Sequence, residues 1–421
     1  MRKWFALAMC LGLLGAIVAG CGSSGDSSTS VSESTSGGEP TASGGESSGG
    51  EASGEPIVLG AAVGETGFMA AYDGAPLEAL KLAIKERNAE GGIDGRPVEL
   101  LVKDTHSDKA TAKTAADELM SEGVEMLVVS CDFDYGAPAA QVAQQEGKIS
   151  FSLCAQSVKF GAQGIGPYAY TPAAAAVDQG ATTAEWVLDK KHWDKGFVLE
   201  DSTLAYDEES CTGFNERFTE RGGEIVGEAT FQQEDASVAS QIAKIKAASP
   251  QPEFIRICSV PPGAATAIKQ IRAAGINLPI VGPDSLDGTY WMKGIPNLSD
   301  VYYSAVGSIY GDDPDPQVNA FVKSYEKATG EPPATAYVLF GPTLFELYAT
   351  AVEEAGSTEA AAVAEALNGF SKVPTLVGAT TYTEEIHIAL DRPFVFIGVT
   401  DGQPKYLETL TASEPAPYKV G

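Results

Sequence analysis

The chain has 421 residues, with 57 Asp and Glu against 28 Lys and Arg, and a formal net charge of −29. So acidic a surface repels nucleic acid and anionic lipid, which excludes both as binding surfaces. The length is enough for two domains with sizeable cores.

Residues 1–21 read as a targeting segment. Arg2 and Lys3 form its charged start, and Trp4 to Val18 its apolar stretch, too short to span a bilayer comfortably. It ends in Val18-Ala19-Gly20-Cys21, which resembles the bacterial lipobox. That resemblance implies that Cys21 is lipidated and becomes the mature N-terminus. Residues 22–55 are dominated by Ser, Gly, Thr and Glu, without Lys or Arg. Such a tract cannot bury a core and is expected to be a disordered tether. At this length it spans about 30–35 Å root-mean-square. No later stretch is long and apolar enough to span a bilayer.

From Pro56 the chain alternates apolar runs with helical patterns. The runs 57–63, 98–102, 126–129 and 149–153 read as strands. Residues 75–89 read as a helix, with Leu77, Leu80 and Ile84 on one stripe and Gly91-Gly92 as its stop. Further helices are expected over 109–122 and 138–145. A second set follows a helix at 179–188. It has strands at 197–199, 225–230, 254–258 and 280–281, with helices at 206–221, 238–247 and 264–274 between them. Two βα sets of similar period predict an α/β fold of two similar, doubly wound parallel-sheet lobes with a ligand cleft between them. The last block holds helices at 318–328, 334–355 and 359–367 and strands near 380–382 and 394–399. It is short of strands for a third sheet, so it is expected to cross between the lobes. The lobes are placed at 56–174 with 306–388, and at 175–305 with 389–412, leaving 413–421 as a tail.

The chain is organised around Val128-Val129-Ser130-Cys131-Asp132-Phe133-Asp134-Tyr135-Gly136-Ala137-Pro138. A buried strand stops at a polar and aromatic loop, and Pro138 stands where the next helix would begin. Such a loop exposes backbone N–H groups at the carboxyl end of a sheet, where α/β proteins bind small ligands. An ordinary strand-to-helix connection is the plain alternative.

Cys131, Cys154, Cys211 and Cys258 remain after the leader, so two disulfides with three possible pairings are expected in an exported chain. Catalysis has little to work with. His106, His192 and His387 lie in separate blocks without metal spacing, and neither Gly-x-Ser-x-Gly nor a phosphate loop occurs. No enzyme activity, cofactor or metal is expected.

The order of elements resembles the type I periplasmic solute-binding fold. In detail it is similar to the leucine/isoleucine/valine-binding receptors of ABC transporters. The segments that carry the resemblance are Ile57-Val-Leu-Gly-Ala, the run from Ala83 through Gly91-Gly92-Ile-Asp-Gly-Arg-Pro-Val-Glu-Leu100, and Lys103-Asp-Thr-His-Ser-Asp108. Ile268-Lys-Gln-Ile-Arg-Ala-Ala-Gly-Ile276, Val281-Gly-Pro-Asp284 and Ala355-Gly-Ser-Thr continue it.

The resemblance implies a set of ligand contacts. The family holds an α-carboxylate with a hydroxyl and backbone amides where this chain has Asp132 and Phe133, with Asp134 beside them. Two aspartates there would repel a carboxylate by several kcal/mol if dry. Alternatively, Asp132 and Asp134 cap the helix expected to start near Ala137. In Ser152-Leu-Cys154-Ala-Gln156-Ser157, Ser152 and Gln156 can hydrogen-bond a ligand and the Cys154 backbone lines the pocket. Tyr72 and Tyr206 match aromatics at the ligand, Asp284 matches the acid that pairs with an α-ammonium, and Tyr290 and Trp291 are candidates by position. Asp284 could instead be a helix cap. In this fold, strands three and four of the first sheet and strands one and three of the second are neighbours. That implies Cys131–Cys154 and Cys211–Cys258 bridges. The function implied is a monomeric, lipid-anchored receptor on the outer face of the cell membrane. It would capture a small polar solute, an amino acid or derivative, by hinge closure and deliver it to an ABC permease. The alternative is a ligand sensor signalling to a membrane kinase or chemoreceptor.

Overall fold

The structure is a computed structural model that describes residues 54–390 and 392–418. The leader, Cys21 and nearly all of the tether lie outside the described residues.

The first sheet is built from β1 (Ile57–Val63), β2 (Val98–Asp104), β3 (Met126–Val129), β4 (Ile149–Ser152) and β5 (Ala169–Tyr170), in the order β2-β1-β3-β4-β5. All pairs are parallel. β3 and β4 are buried at every position, as strands covered on both faces must be. The helices that cover them are α1 (Ala70–Ala89), α2 (Lys109–Ser121) and α3 (Phe133–Gln145).

The second sheet begins with β6 (Lys195–Asp201), β7 (Glu224–Phe231), β8 (Phe254–Cys258), β9 (Ile280–Gly282) and β10 (Val301–Ala305), all parallel. Their order, β7-β6-β8-β9-β10, repeats that of the first sheet. The helices α4 (Ala176–Trp186), α5 (Ala205–Glu220), α6 (Ala239–Ala247) and α7 (Gly263–Ala273) belong to this half. The chain order therefore reverses between β1 and β3 in one sheet and between β6 and β8 in the other. Crevices open outside the carboxyl ends of strands at such points.

The late segment serves both halves. α8 (Pro316–Thr329), α9 (Phe340–Ala355) and α10 (Ala360–Asn368) share the core of α1 and the first sheet. Gly341 lets α9 approach closely, since a Cβ there would collide with the carbonyl of Pro76. β11 (Phe394–Thr400) and β12 (Gln403–Leu410) extend the second sheet as an antiparallel hairpin. The second lobe is thus mixed, not wholly parallel.

Several boundaries differ from the sequence expectation. α1 starts at Ala70, ahead of Pro76, and α3 starts at Phe133, so Pro138 lies inside it. The expected strand near 380–382 reduces to one bridge between Val373 and Thr380. The segment after β12 is tied down: Ser413 and Ala416 donate backbone N–H groups to Glu185 (2.9 Å) and Asp178 (2.5 Å) on α4.

The structure pairs Cys131 with Cys154 and Cys211 with Cys258, with Cα separations of 4.3 and 5.7 Å. β3 lies beside β4, and β6 beside β8, which brings each pair together. Bridges of this kind contribute about 2–4 kcal/mol each. Peptide mapping without reductant is expected to return these two links. A Cys131–Cys258 peptide, or four alkylatable thiols in the unfolded, unreduced chain, would contradict them.

Candidate functional site

At the switch point of the first sheet the ends of β1 and β3 meet one buried carboxylate. Asp73, on α1, accepts from the backbone N–H groups of Gly64 (2.7 Å) and Cys131 (2.7 Å) and from the Ser130 hydroxyl (2.8 Å). Burial pushes its carboxyl up to about 6, against the pull of those three donors. The next loop is held in the same manner. Ser152 Oγ accepts from the N–H groups of Cys154 (3.2 Å) and Ala155 (2.8 Å) and donates to the Ser130 carbonyl (2.8 Å). Ser152 thus shapes the loop, and its hydroxyl is spent. Asp132 caps α3 by accepting from the Asp134 N–H at 2.8 Å. It also stands at the wall of a cavity.

That cavity, about 30 Å³, lies between the two halves. It has room for roughly one or two waters. Phe68, Met69, Leu204 and Val260 give it apolar walls. The polar groups are Asp132, Gln156, Ser285 and the phenols of Tyr72, Tyr206 and Tyr337, and the Cys131–Cys154 bridge forms part of the wall.

Beside it Asp284 is a shared acceptor. Gln156 Nε2 donates to its Oδ2 at 2.6 Å, and the Tyr206 and Tyr337 hydroxyls donate to Oδ1 at 2.6 and 3.0 Å. Burial raises the Asp284 carboxyl above the ordinary carboxylate range, and these donors oppose that rise. Gln179 Nε2 in turn donates to Gln156 Oε1 at 3.2 Å. The halves meet at other points as well. Tyr72 donates to the Pro261 carbonyl at 2.6 Å, and Asp134 Oδ2 accepts from Ala205 N–H at 2.9 Å, capping α5 from the opposite half. Glu209 on α5 accepts from Val158 N–H at 2.8 Å. The cleft is therefore closed, and its polar groups bond across it.

Asp132 gives a pH-dependent handle. Burial, with Asp134 beside it, raises its carboxyl from 3.8 to about 7, and Lys109 opposes this only weakly. A folded value above the unfolded one favours folding at low pH, and that contribution is lost as pH rises through about 7. Asn caps a helix as well as Asp but does not ionise. Asp132→Asn is therefore expected to match the wild type near pH 4 and to exceed its stability at pH 8 by about 2–4 kcal/mol. Denaturant unfolding at both pH values measures this. Equal stability at pH 8 would show that Asp132 ionises at no cost.

The structure brings Tyr72, Asp132, Cys154, Gln156, Tyr206 and Asp284 together at one place. It does not bring Phe133 there; that ring packs against the core between α2, α3 and the sheet. Asp134 and Ser152 are used in capping and loop closure. Trp291 belongs to the core of the second half and donates to the Leu286 carbonyl at 2.9 Å, while Tyr290 approaches Tyr72. Asp284 makes no capping bond, and Pro283 precedes the 3₁₀ turn that it opens. His387 stacks on Tyr170 and His106 hydrogen-bonds Thr66, both outside the cavity wall. Asp73, Tyr337 and Gln179 are the site residues that the sequence reading passes over.

A family model described as periplasmic binding protein matches residues 56–403. The chain belongs to the periplasmic binding protein family. Members are solute-binding receptors for transport, not enzymes. Leu/Ile/Val-binding protein homolog 1 of Brucella abortus (strain 2308) is 24% identical over 340 residues, covering 78% of this chain and 86% of its own length. The leucine-, isoleucine-, valine-, threonine-, and alanine-binding protein of Pseudomonas aeruginosa is 21% identical over 304 residues, covering 72% and 79%. Among solved structures, a branched-chain amino acid transporter substrate binding protein from Streptococcus pneumoniae in complex with isoleucine superposes with a TM-score of 0.74. It has 23% identity and covers 85% of this chain and 100% of that one. A solute binding protein from R. palustris in complex with benzoate gives 0.72 at 20% identity, covering 86% and 97%. These likenesses establish the type I fold, and the solutes named belong to those proteins.

Proposed function

We propose that this periplasmic binding protein is an extracytoplasmic receptor, anchored by lipid at Cys21. It captures one small polar solute between its lobes and delivers it to an ABC permease. The lobes are 56–174 with 306–388, and 175–305 with 389–412, and they close as hinged bodies. The observation that carries the reading is the set of hydrogen bonds across the cleft. Gln156 from the first half and Tyr206 from the second converge on Asp284, beside a cavity walled by aromatics. A cleft whose closure assembles one polar node and one apolar wall suits capture, not chemistry. The relatives that bind branched-chain amino acids support a small metabolite as the solute. Tether and lipid would keep the body near the membrane. Thermal unfolding across a panel of amino acids, amides, polyamines and aromatic acids tests the reading. At least one solute is expected to raise the midpoint by several degrees. No shift anywhere in the panel would overturn it.

A further inference from the structure

The charge around the cavity is one-sided. Asp132, Asp207 and Asp284 are all buried, and among the described residues none has an ion-pair partner within 4 Å. Among the described residues, no Lys, Arg or His lines the cavity. Asp207 is the extreme case: both of its carboxyl oxygens are buried without a hydrogen-bond partner. It stands just behind the cavity wall: the lining residues Tyr72, Tyr206 and Asp132 all lie close enough to interact with its charge. The charged groups around it are Asp201, Asp132 and Glu200, with Arg256 as the one cation. Arg256 is itself fully buried. Its guanidinium donates to Ser210 Oγ at 2.7 Å and lies over the Phe214 ring, making no ion pair with any of the three acids. Arg256 acts on Asp207 and Asp284, and Lys109 on Asp132, without pairing with them. Buried carboxylates lacking a close partner are costly, and a cation at the cavity would supply one.

Several donors that could hold a carboxylate are also already used. At the carboxyl ends of β3 and β4 the N–H groups of Cys131, Asp134, Cys154 and Ala155 all bond side-chain oxygens, those of Asp73, Asp132 and Ser152. An incoming carboxylate would find acids where it needs donors. A cation would find the rings of Tyr72, Tyr206, Tyr337 and Phe68 in the wall, and aromatic rings attract positive charge.

We propose that the cleft takes an organic cation with an apolar or aromatic body and no carboxylate, such as a primary amine or amidine, with Asp284, Asp207 and Asp132 as its counter-charges. This rests on the receptor reading of the same cleft and narrows its solute class. Matched pairs test it by calorimetric titration: phenethylamine against phenylalanine, isoamylamine against leucine, and benzamidine against benzoate. The cationic member of at least one pair is expected to bind tenfold or more tighter than its carboxylate partner. Asp207→Asn, a near-isosteric change, is expected to weaken that cation tenfold or more while leaving the thermal midpoint of the unliganded protein unlowered. Binding in which no pair favours its cationic member by tenfold would overturn the charge assignment and leave the receptor reading standing. Silence from all six compounds overturns the assignment, and if the wider solute panel is silent too, the receptor reading falls with it.

Discussion

Asp73→Ala is expected to destabilise the folded protein by about 3–5 kcal/mol, more than any other single polar change in the first lobe. The carboxylate is fully buried and joins three segments: α1, the end of β1 at Gly64, and the end of β3 at Ser130 and Cys131. Truncation leaves two backbone N–H groups and a hydroxyl without an acceptor, where water has little access. Each orphaned buried group costs about 1–3 kcal/mol. Asp73→Asn is expected to recover only part of the loss, because its amide must turn an NH2 toward donors. Equilibrium unfolding in urea near pH 7 measures both variants. A loss below about 0.5 kcal/mol for the alanine variant would mean that the loops hold without Asp73.

Asp284→Ala is expected to weaken whichever solute stabilises the wild type by about 2–5 kcal/mol. Gln156, Tyr206 and Tyr337 converge on this carboxylate from different parts of the chain. A carboxylate has about four acceptor positions, so a ligand donor can join these three or displace one. Removing the acid would take away the charge and release the donors that orient it. The change acts on binding and on closure together. A loss of only a few tenths of a kcal/mol would assign Asp284 to closing the empty cleft, with no ligand contact.

Much of this architecture was legible in the sequence because the strand and helix periods are simple. Four βα steps in each half read as two parallel-sheet lobes; the strand adjacency that pairs Cys131 with Cys154 and Cys211 with Cys258 came from the resemblance to the type I fold. Asp284 was legible from the Val-Gly-Pro before it. Asp73 was not. A helix start at Ala75 hides that 73 continues the stripe of 77, 80 and 84, which would have marked a buried acid on an apolar face. β12 went unread because it is half exposed. Its signal was the Asp401-Gly402 pair, whose positive φ values of 51° and 72° make the tight turn after β11. Tyr337 and Asp207 depend on how the halves meet, which no local pattern encodes. Ser152 carries the family's hydroxyl, but here its bonds turn inward to the loop.

A receptor of the proposed kind holds one small molecule between its lobes. Native mass spectrometry of the protein, purified without denaturation and then incubated with each solute of the panel, tests it most directly. A single adduct per chain is expected for at least one compound, an organic cation first among them, with loss of that adduct in Asp284→Ala. A chain that stays at its bare mass with every solute would contradict it.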